Sequence, residues 1–464
     1  MAGIGFEIRK YLNDDTFSGT FKAYGFAGLI SAGPWVLSIA GVMFIGLVGL
    51  SIQDEKDIVS QFTTSVTWLM GGSLVLTGLL QLVFTRFVAD RIFERKERLI
   101  NPNLFGALFL TTLCSGLIAS ALAVTIFSES FGYEVLMAAC FVVISNIWIA
   151  VIFVAGLKRF KLILNAFAVG YTVTVVFALL LMPFGLNGLL CGLFLGHVVL
   201  LFSMLAIVIP EYPLVLAVRF DFVKRRFIFP SLIAIGLFYN LGIWIDKLMF
   251  WMYTPTSESI VGPLRKSLIY DLPIFLAYLA IIPGMAVFLL RIETDFVQAY
   301  DRFFAAVRGN ASLQEIEMLG NRMNEAVRDG LLQIIRVQGA TILVLIGMGP
   351  SIIQWLGLSE QYVHLYYVNL VGVGAQVLML AVLNVLFYLD KLADALKITA
   401  LLLLSNTILT GMSLQAGPSY YGYGFGISMV LTALFGIVLL SRELEHIENR
   451  TFMRERPEVA SATS

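Results

Sequence analysis

The sequence is poor in charge, in cysteine and in histidine. Asp, Glu, Lys and Arg together make up 13% of the 464 residues, whereas a soluble chain of this size carries about 25%. The three cysteines, Cys114, Cys140 and Cys191, stand far apart, and the three histidines stand alone. Neither a metal site nor a disulfide framework fits this spacing. We therefore expect no metal and no cofactor.

Motifs of soluble enzymes are also missing. The chain contains no HExxH, GxSxG or Walker A sequence. A nucleotide-driven pump needs a P-loop, and a glycosyltransferase needs room outside the bilayer for a nucleotide sugar. We therefore expect that the chain is not an enzyme. Its 31 basic and 31 acidic residues balance, which gives no reason to expect a nucleic-acid partner.

The sequence has long apolar runs instead. Hydrophobic residues make up 59% of the chain, and the mean hydropathy is +0.87. A transmembrane helix needs about 20 predominantly apolar residues. Twelve stretches meet this condition, at 24–50, 62–88, 104–127, 135–157, 163–182, 188–209, 228–250, 273–290, 331–356, 364–388, 395–412 and 423–440.

Positive charge lies almost entirely on one side of these twelve stretches. When the spans are threaded alternately, the outer loops hold only three of the 31 Lys and Arg residues, and a fourth lies within a span. Those four are Lys56, Arg265, Lys266 and Lys247. Basic residues in short loops mark the cytoplasmic side. The pattern therefore predicts twelve spans with both termini in the cytoplasm.

The twelve spans divide into two halves. Phe26, Leu29, Ile30 and Gly33 at the start of the first half match Phe229, Leu232, Ile233 and Gly236 at the start of the second. Repeated halves around a cavity are a common transporter plan. We expect an all-α membrane protein with two six-helix bundles around a central cavity.

The predicted boundaries follow from this division. An interfacial segment covers 1–23, the first bundle 24–209, a basic cytoplasmic linker 210–227, the second bundle 228–440 and a polar tail 441–464. Within the second bundle, 291–330 alternates charged and apolar residues and predicts an amphipathic helical loop at the inner surface.

Span seven carries the strongest candidates for a substrate path. Charge inside a bilayer is costly and needs a reason, and this span contains Asp246 followed directly by Lys247. Adjacent side chains point about 100° apart on a helix, so we expect these two not to pair. We expect Asp246 either to face a wet cavity or to lie near the outer interface, where Lys247 would reach water. Tyr239, Asn240 and Trp244 of the same helix offer aromatic and amide groups that suit sugar rings.

Three further groups complete the candidates. Tyr278 of span eight and the outer group Arg265, Lys266 and Asp271 are candidates for the substrate path. Proline kinks a helix because it lacks an N–H, so the pairs Gly33-Pro34 and Pro283-Gly284 are hinge candidates. Inner-gate candidates are Arg86, Arg291, Glu293 and Asp295, and a local ion pair is the favoured role for the last three.

Four segments resemble a known family. They are MAGIGFEIRK at 1–10, SAGPW at 31–35, DLPIFLAYL at 271–279 and RIETDF at 291–296. Together they resemble the PelG family of Pel exopolysaccharide inner-membrane transporters, which are related to the multidrug, oligosaccharidyl-lipid and polysaccharide flippases. The resemblance implies two six-helix bundles, a substrate rich in N-acetylated hexosamines, and a complex with the glycosyltransferase PelF and the membrane proteins PelD and PelE.

We therefore expect an exporter of an exopolysaccharide in the bacterial inner membrane. Two alternatives stay open at this point. The first is a flippase for a lipid-linked oligosaccharide, and the second is a scaffold that recruits the glycosyltransferase without transporting anything. Export is expected to be driven either by coupling at Asp246 or by chain extension at the docked glycosyltransferase.

Overall fold

The structure is a computed structural model of the whole chain. It describes residues 25, 27, 28, 37, 38, 41, 42, 44–46, 48, 56–127, 129–156, 160–224, 227, 229–309, 311–355 and 359–445. The interfacial segment expected at 1–23 and the hinge candidates Gly33 and Pro34 lie outside these residues.

Five helices form the described part of the first half. They are α1 (Lys56–Phe93), α2 (Ile100–Thr125), α3 (Phe131–Gly156), α4 (Phe160–Leu181) and α5 (Gly185–Val208). A helix closes its backbone hydrogen bonds internally, which is what hydrocarbon requires. The closest pair is α4 and α5. Gly196 allows the two helices to approach, because a Cβ at that position would lie 2.6 Å from the backbone nitrogen of Thr174.

The second half contains eight described helices and one hairpin. The helices are α6 (Pro230–Met252), α7 (Asp271–Leu279), α8 (Ile281–Leu290), α9 (Val297–Arg308), α10 (Leu313–Trp355), α11 (Gln361–Tyr388), α12 (Leu392–Ala416) and α13 (Tyr423–Glu445). A π-helical turn, Arg291–Phe296, joins α8 to α9. Within the stretch 291–330, residues 291–308 and 313–330 are therefore helical, and the second of these parts continues directly into a span.

The hairpin is a departure from the all-α expectation. Strands β1 (Glu258–Val261) and β2 (Leu264–Lys266) pair antiparallel, with Glu258 opposite Lys266. Gly262 in the turn has φ +50°, a backbone region that glycine enters without strain. The hairpin, at residues 258–266, occupies half of the connection between α6 and α7. Sequence reasoning treated this connection as a loop because its short strands have no clear alternation.

Ten helical segments of the described chain are long and apolar enough to cross a membrane. One of them, Leu162–Glu211, contains both α4 and α5. The chain is thus a mostly helical, multi-pass membrane protein. The number of twelve spans stays a prediction, because most of span one lies outside the described residues. The cytoplasmic placement of the termini also stays a prediction.

The core is divided between the two halves. Two clusters of buried apolar side chains lie within the first half, and one larger cluster fills the second. In the second half α11 packs on α13 and α6 packs on α12. The closest described contact between the halves runs along α1 and α6. There Gly78 and Gly236 bring the two backbones together, since a Cβ at Gly236 would lie 2.1 Å from the Gly78 carbonyl oxygen.

Candidate functional site

A buried polar cluster lies inside the second half, around Asp246 near the C-terminal end of α6. The Asp246 side chain is 0% exposed. Its Oδ2 accepts hydrogen bonds from Tyr270 Oη (2.6 Å) and Lys247 Nζ (3.0 Å). Its Oδ1 accepts one from Asn406 Nδ2 of α12 (3.3 Å). In this conformation Asp246 therefore does not face a water-filled cavity, contrary to one of the two sequence-based expectations.

Lys247 is also buried, at 7% exposure, and it pairs with Asp246. The expectation that adjacent residues do not pair is wrong here. The long lysine side chain reaches back along the helix, and its Nζ also donates to the Ile243 carbonyl oxygen at 3.0 Å. The ammonium lies 5.1 Å from the ring centre of Tyr278 and 5.0 Å from that of Phe425. Aromatic faces stabilise a cation at such distances.

Tyr270 closes the cluster from the connection before α7. Its ring stacks on Phe250 with the two ring centres 3.9 Å apart. Burial, followed by the negative charge of Asp246, raises the pKa of the Tyr270 phenol well above its ordinary value. The phenol is therefore a neutral donor to the carboxylate at all physiological pH values. Sequence reasoning missed Tyr270, because nothing in the sequence places a residue 24 positions away against Asp246.

The outer group is held by internal contacts. Asp271 accepts hydrogen bonds from Trp251 Nε1 (2.8 Å) and from the Ser267 backbone nitrogen (2.9 Å). Arg265 donates to the Trp251 carbonyl oxygen and to Ser257. Lys266 donates to Ser60 of the first half and lies 3.4 Å from Glu258. These three residues lie near one another, but most of their polar atoms serve the hairpin and its contact with α1.

The aromatic and amide candidates of α6 lie mainly at the contact between the halves. Asn240 donates to the Gly236 carbonyl oxygen (2.9 Å) and lies against Gly78. Trp244 covers Gly71 of α1, since a Cβ there would lie 2.9 Å from the indole. Tyr239 is half-buried against the large apolar cluster of the second half. The surface predicted for sugar rings is thus also a packing surface.

Trp68 of α1 extends this surface and was missed from the sequence. Its ring centre lies 4.8 Å from that of Trp251, which in turn lies 6.2 Å from that of Trp244. Its indole nitrogen donates to the Arg265 carbonyl oxygen at 2.9 Å. The chain has only six tryptophans, so a tryptophan within a span could have been singled out from the sequence as a candidate for this surface.

The helix of span eight breaks at Ala280, between α7 and α8. Pro283 explains the place, because a proline ring clashes with the carbonyl one turn earlier and offers it no N–H. Gln338 of α10 donates its Nε2 to the Ala280 carbonyl oxygen (2.9 Å). Gly284 makes room for it, since a Cβ there would lie 2.4 Å from Gln338 Oε1. The predicted kink is present, and its role as a hinge stays a prediction.

The inner-gate candidates form two separate contacts. Arg86 of α1 pairs with Asp390 of the other half (2.7 Å) and with Asp90 (3.2 Å), and it lies over the ring of Phe229. This contact bridges the two halves. It is solvent-exposed, with side-chain exposures of 35% for Arg86 and 62% for Asp390.

The second contact lies within the π-helical turn. Arg291 pairs with Asp295 at 2.8 Å, which is the local ion pair expected from the sequence. Glu293 does not join that pair. Its Oε1 accepts a hydrogen bond from Asn384 Nδ2 of α11 (2.7 Å), and its Oε2 lies 3.4 Å from the Tyr388 hydroxyl. Across the described ranges, no group of three or more His, Cys, Asp or Glu side chains is placed to hold a metal ion.

A family model described as "PelG: Putative exopolysaccharide Exporter (EPS-E)" matches residues 1–452. The chain belongs to the PelG family. This confirms the resemblance read from the four segments, because the match covers nearly the whole length. No curated protein matches the sequence.

Several solved structures have folds similar to that of this chain. One is the outward-facing conformation of a multidrug resistance MATE family transporter of the MOP superfamily, with a TM-score of 0.66, 12% identity, and 91% of this chain and 96% of that chain covered. A MATE in the bent conformation gives a TM-score of 0.65 at 13% identity, covering 93% and 97%. A MOP superfamily transporter from Pyrococcus furiosus gives 0.61 at 13% identity, covering 91% and 95%. The PelG family chain therefore has a MATE-like transporter fold.

Proposed function

We propose that this PelG family member exports the Pel polysaccharide, a polymer rich in N-acetylated hexosamines, across the bacterial inner membrane. It would do so in a complex with PelF, PelD and PelE. The observation that carries the proposal is the match to an exopolysaccharide exporter family over residues 1–452. The MATE-like fold supports a transporter over an enzyme, since it is a fold of transporters.

The aromatic surface between the halves supports a sugar path. Trp68 and Trp244 are half-buried at the contact between the halves, and Tyr239 is half-buried against the apolar cluster of the second half, five residues before Trp244 on the same helix. Amphipathic rings of this kind can stack on a pyranose while other groups bond its hydroxyls. In our proposal the polymer passes along this surface when the two halves separate. When the halves are in contact, the same rings pack between α1 and α6.

The burial of Asp246 favours chain extension as the driving force. A carboxylate that exchanges protons with solvent needs access to water, whereas Asp246 is enclosed by Lys247, Tyr270 and Asn406. We propose that the glycosyltransferase pushes the polymer through as it adds sugars. Reconstituted vesicles without the glycosyltransferase should then show no polymer uptake in response to an imposed pH gradient.

The export proposal is tested with inverted membrane vesicles that carry the complete complex. Labelled nucleotide sugar is added outside, and a glycosidase then digests polymer that has not entered the lumen. We expect protected polymer with the wild-type protein and none when the protein is depleted.

Tyr239→Ala separates transport from scaffolding. We expect this variant to lose most protected polymer while the glycosyltransferase still co-purifies with it. Phe202→Ala, on an exposed face of α5, is the matched control and should export normally. If Tyr239→Ala exports as well as the wild type, the role of Tyr239 in the path fails. If depletion abolishes recruitment of the glycosyltransferase but leaves the protected polymer at the wild-type level, the protein is a scaffold and the export proposal fails.

A further inference from the structure

An extended segment lies at the edge of the first half, beside the start of α2. Residues 213–220, PLVLAVRF, belong to no helix or strand. Asn101 holds the start of the segment by donating to the carbonyl oxygens of Tyr212 (3.0 Å) and Pro213 (3.3 Å). Gly106 allows close approach at its end, since a Cβ there would lie 1.9 Å from the Arg219 carbonyl oxygen. The segment is therefore fixed on α2.

The segment presents apolar side chains outward. Leu216 is 87% exposed, and Leu214 and Val218 are also exposed. The Phe220 ring lies 6.2 Å from that of Phe109, which is itself on an exposed face of a spanning helix. The apolar surface of the segment is thus continuous with the lipid-facing surface of α2.

Cations lie next to this apolar surface. Arg95, Lys96 and Arg98, together with Glu97, Leu99 and Pro213, line an open pocket of about 380 Å³. Lys96 pairs with Glu94 at 2.9 Å. The side chains of Arg95 and Arg98 make no hydrogen bond or ion pair with any other residue that the structure describes. The pocket thus holds three basic groups and one acidic group.

The depth of the segment follows from its backbone. Irregular backbone exposed to lipid is not tolerated in hydrocarbon, so this segment, which belongs to no helix or strand, has to lie at the level of the headgroups. The basic loops assign this end of α1 and α2 to the cytoplasmic side. A basic pocket beside apolar side chains at that level is the chemistry that binds anionic lipid headgroups.

We propose that residues 213–220 and the pocket of Arg95, Lys96 and Arg98 form a binding site for an anionic phospholipid of the inner leaflet. The guanidinium groups bind the phosphate, and the acyl chains lie along Leu214, Leu216 and Val218. The segment is part of the connection between the two halves, so a bound lipid stabilises that connection on the first half. This site is independent of the substrate path proposed above.

The test uses the purified full-length protein in a neutral detergent. Native mass spectrometry counts the phosphatidylglycerol and phosphatidylcholine molecules that the protein retains during a titration. We expect preferential retention of phosphatidylglycerol by the wild type. Arg95→Gln/Arg98→Gln should weaken it by on the order of tenfold, with retention of phosphatidylcholine unchanged. Arg302→Gln/Arg308→Gln removes the same charge from exposed positions of α9 and should have no effect.

Two results would overturn the site. The first is retention of phosphatidylglycerol by Arg95→Gln/Arg98→Gln at the wild-type level. The second is displacement of the lipid by inorganic phosphate at equal concentration, which indicates a soluble-anion site. Arg95→Lys/Arg98→Lys keeps the charge and should keep binding phosphatidylglycerol. If this variant also loses binding, the loss in the glutamine variant reflects a structural defect and not the removal of charge, and this contradicts the proposal.

A photocrosslinker in place of Leu216 tests the apolar part in native membranes. We expect it to label phospholipid. Labelling of a protein instead would assign the segment to a protein partner and contradict the proposal.

Discussion

At the residue scale, the decisive feature is the buried ion pair between Asp246 and Lys247 in the second half. Taking ions out of water costs several kcal/mol each, and a close partner with further hydrogen bonds offsets that cost. Asp246 has Lys247, Tyr270 and Asn406 as donors, which satisfies both carboxylate oxygens. The pair is therefore tolerated where a lone charge would not be.

Removing one partner should destabilise the protein strongly. We expect Lys247→Met to lower the free energy of unfolding by about 3–5 kcal/mol, because it leaves an unpaired buried carboxylate. Asp246→Asn/Lys247→Met together should lose much less than the single variant, since no charge is then left. The measurement is thermal unfolding in detergent, followed by tryptophan fluorescence.

An exposed ion pair serves as the control for this experiment. Asp390 pairs with Arg86 on the surface, and pairs of that kind contribute about 0–1 kcal/mol. Asp390 has φ +56°, which asparagine also adopts readily. Asp390→Asn should therefore cost less than 1 kcal/mol. Equal losses for Asp390→Asn and Lys247→Met would show that burial of the Asp246 pair contributes nothing.

At the element scale, the contact between α1 and α6 depends on the absence of side chains. Gly236 faces the Gly78 carbonyl oxygen, and Trp244 covers Gly71. Small residues let spanning helices approach, because packing and not hydrophobicity drives their association in lipid. The two halves can therefore stay in contact along this line.

An added methyl group at this contact should force the helices apart. We expect Gly236→Ala to lower the free energy of unfolding by about 1–3 kcal/mol through overpacking. Gly339→Ala in α10 is the matched control, because no atom lies within 4 Å of its Cβ position. That control should be neutral or slightly stabilising, since alanine favours a helix over glycine. The opposite order of the two variants in thermal unfolding would contradict the close contact.

The break in span eight depends on one side chain from another helix. Gln338 donates to the Ala280 carbonyl, which as the N-cap carbonyl of α8 also accepts the first hydrogen bond of that helix. We expect Gln338→Leu to cost about 1 kcal/mol, because one buried hydrogen bond between helices is lost. Gln338→Glu, protonated at low pH, can restore a donor. Unfolding of both variants should be compared at pH 5 and pH 8, and an unchanged stability of Gln338→Leu would argue against this role.

At the scale of the whole molecule, orientation follows from charge alone. The stretch 291–330 carries five arginines, while the hairpin connection between α6 and α7 carries two basic residues. The positive side is retained in the cytoplasm. The two connections should therefore lie on opposite sides of the membrane.

Reporter fusions test this orientation. A fluorescent protein fused after Ala311 should fluoresce, because it folds in the cytoplasm, and alkaline phosphatase fused there should be inactive. After Gly262 the result should be reversed. Phosphatase activity at Ala311 would overturn the predicted topology and with it the cytoplasmic side of the proposed lipid site.

The sequence predicted most of the architecture but little of the site geometry. Spans are visible in a sequence because hydrocarbon demands about 20 apolar residues for each, and ten such segments appear in the described chain. The π-helical turn at Arg291–Phe296 and the hairpin were not foreseen, because neither has a periodicity of its own in the sequence.

The sequence by itself determined that the chain crosses a membrane many times, and its motifs identified the PelG family. It also pointed to Asp246 and Lys247, since charges in apolar runs are conspicuous. Only the tertiary structure decided that the two residues pair, that Tyr270 and Asn406 complete the cluster, and that Arg86 meets Asp390 304 positions away. Composition along one helix fixes what faces the lipid, whereas these contacts depend on which helices pack together and how closely.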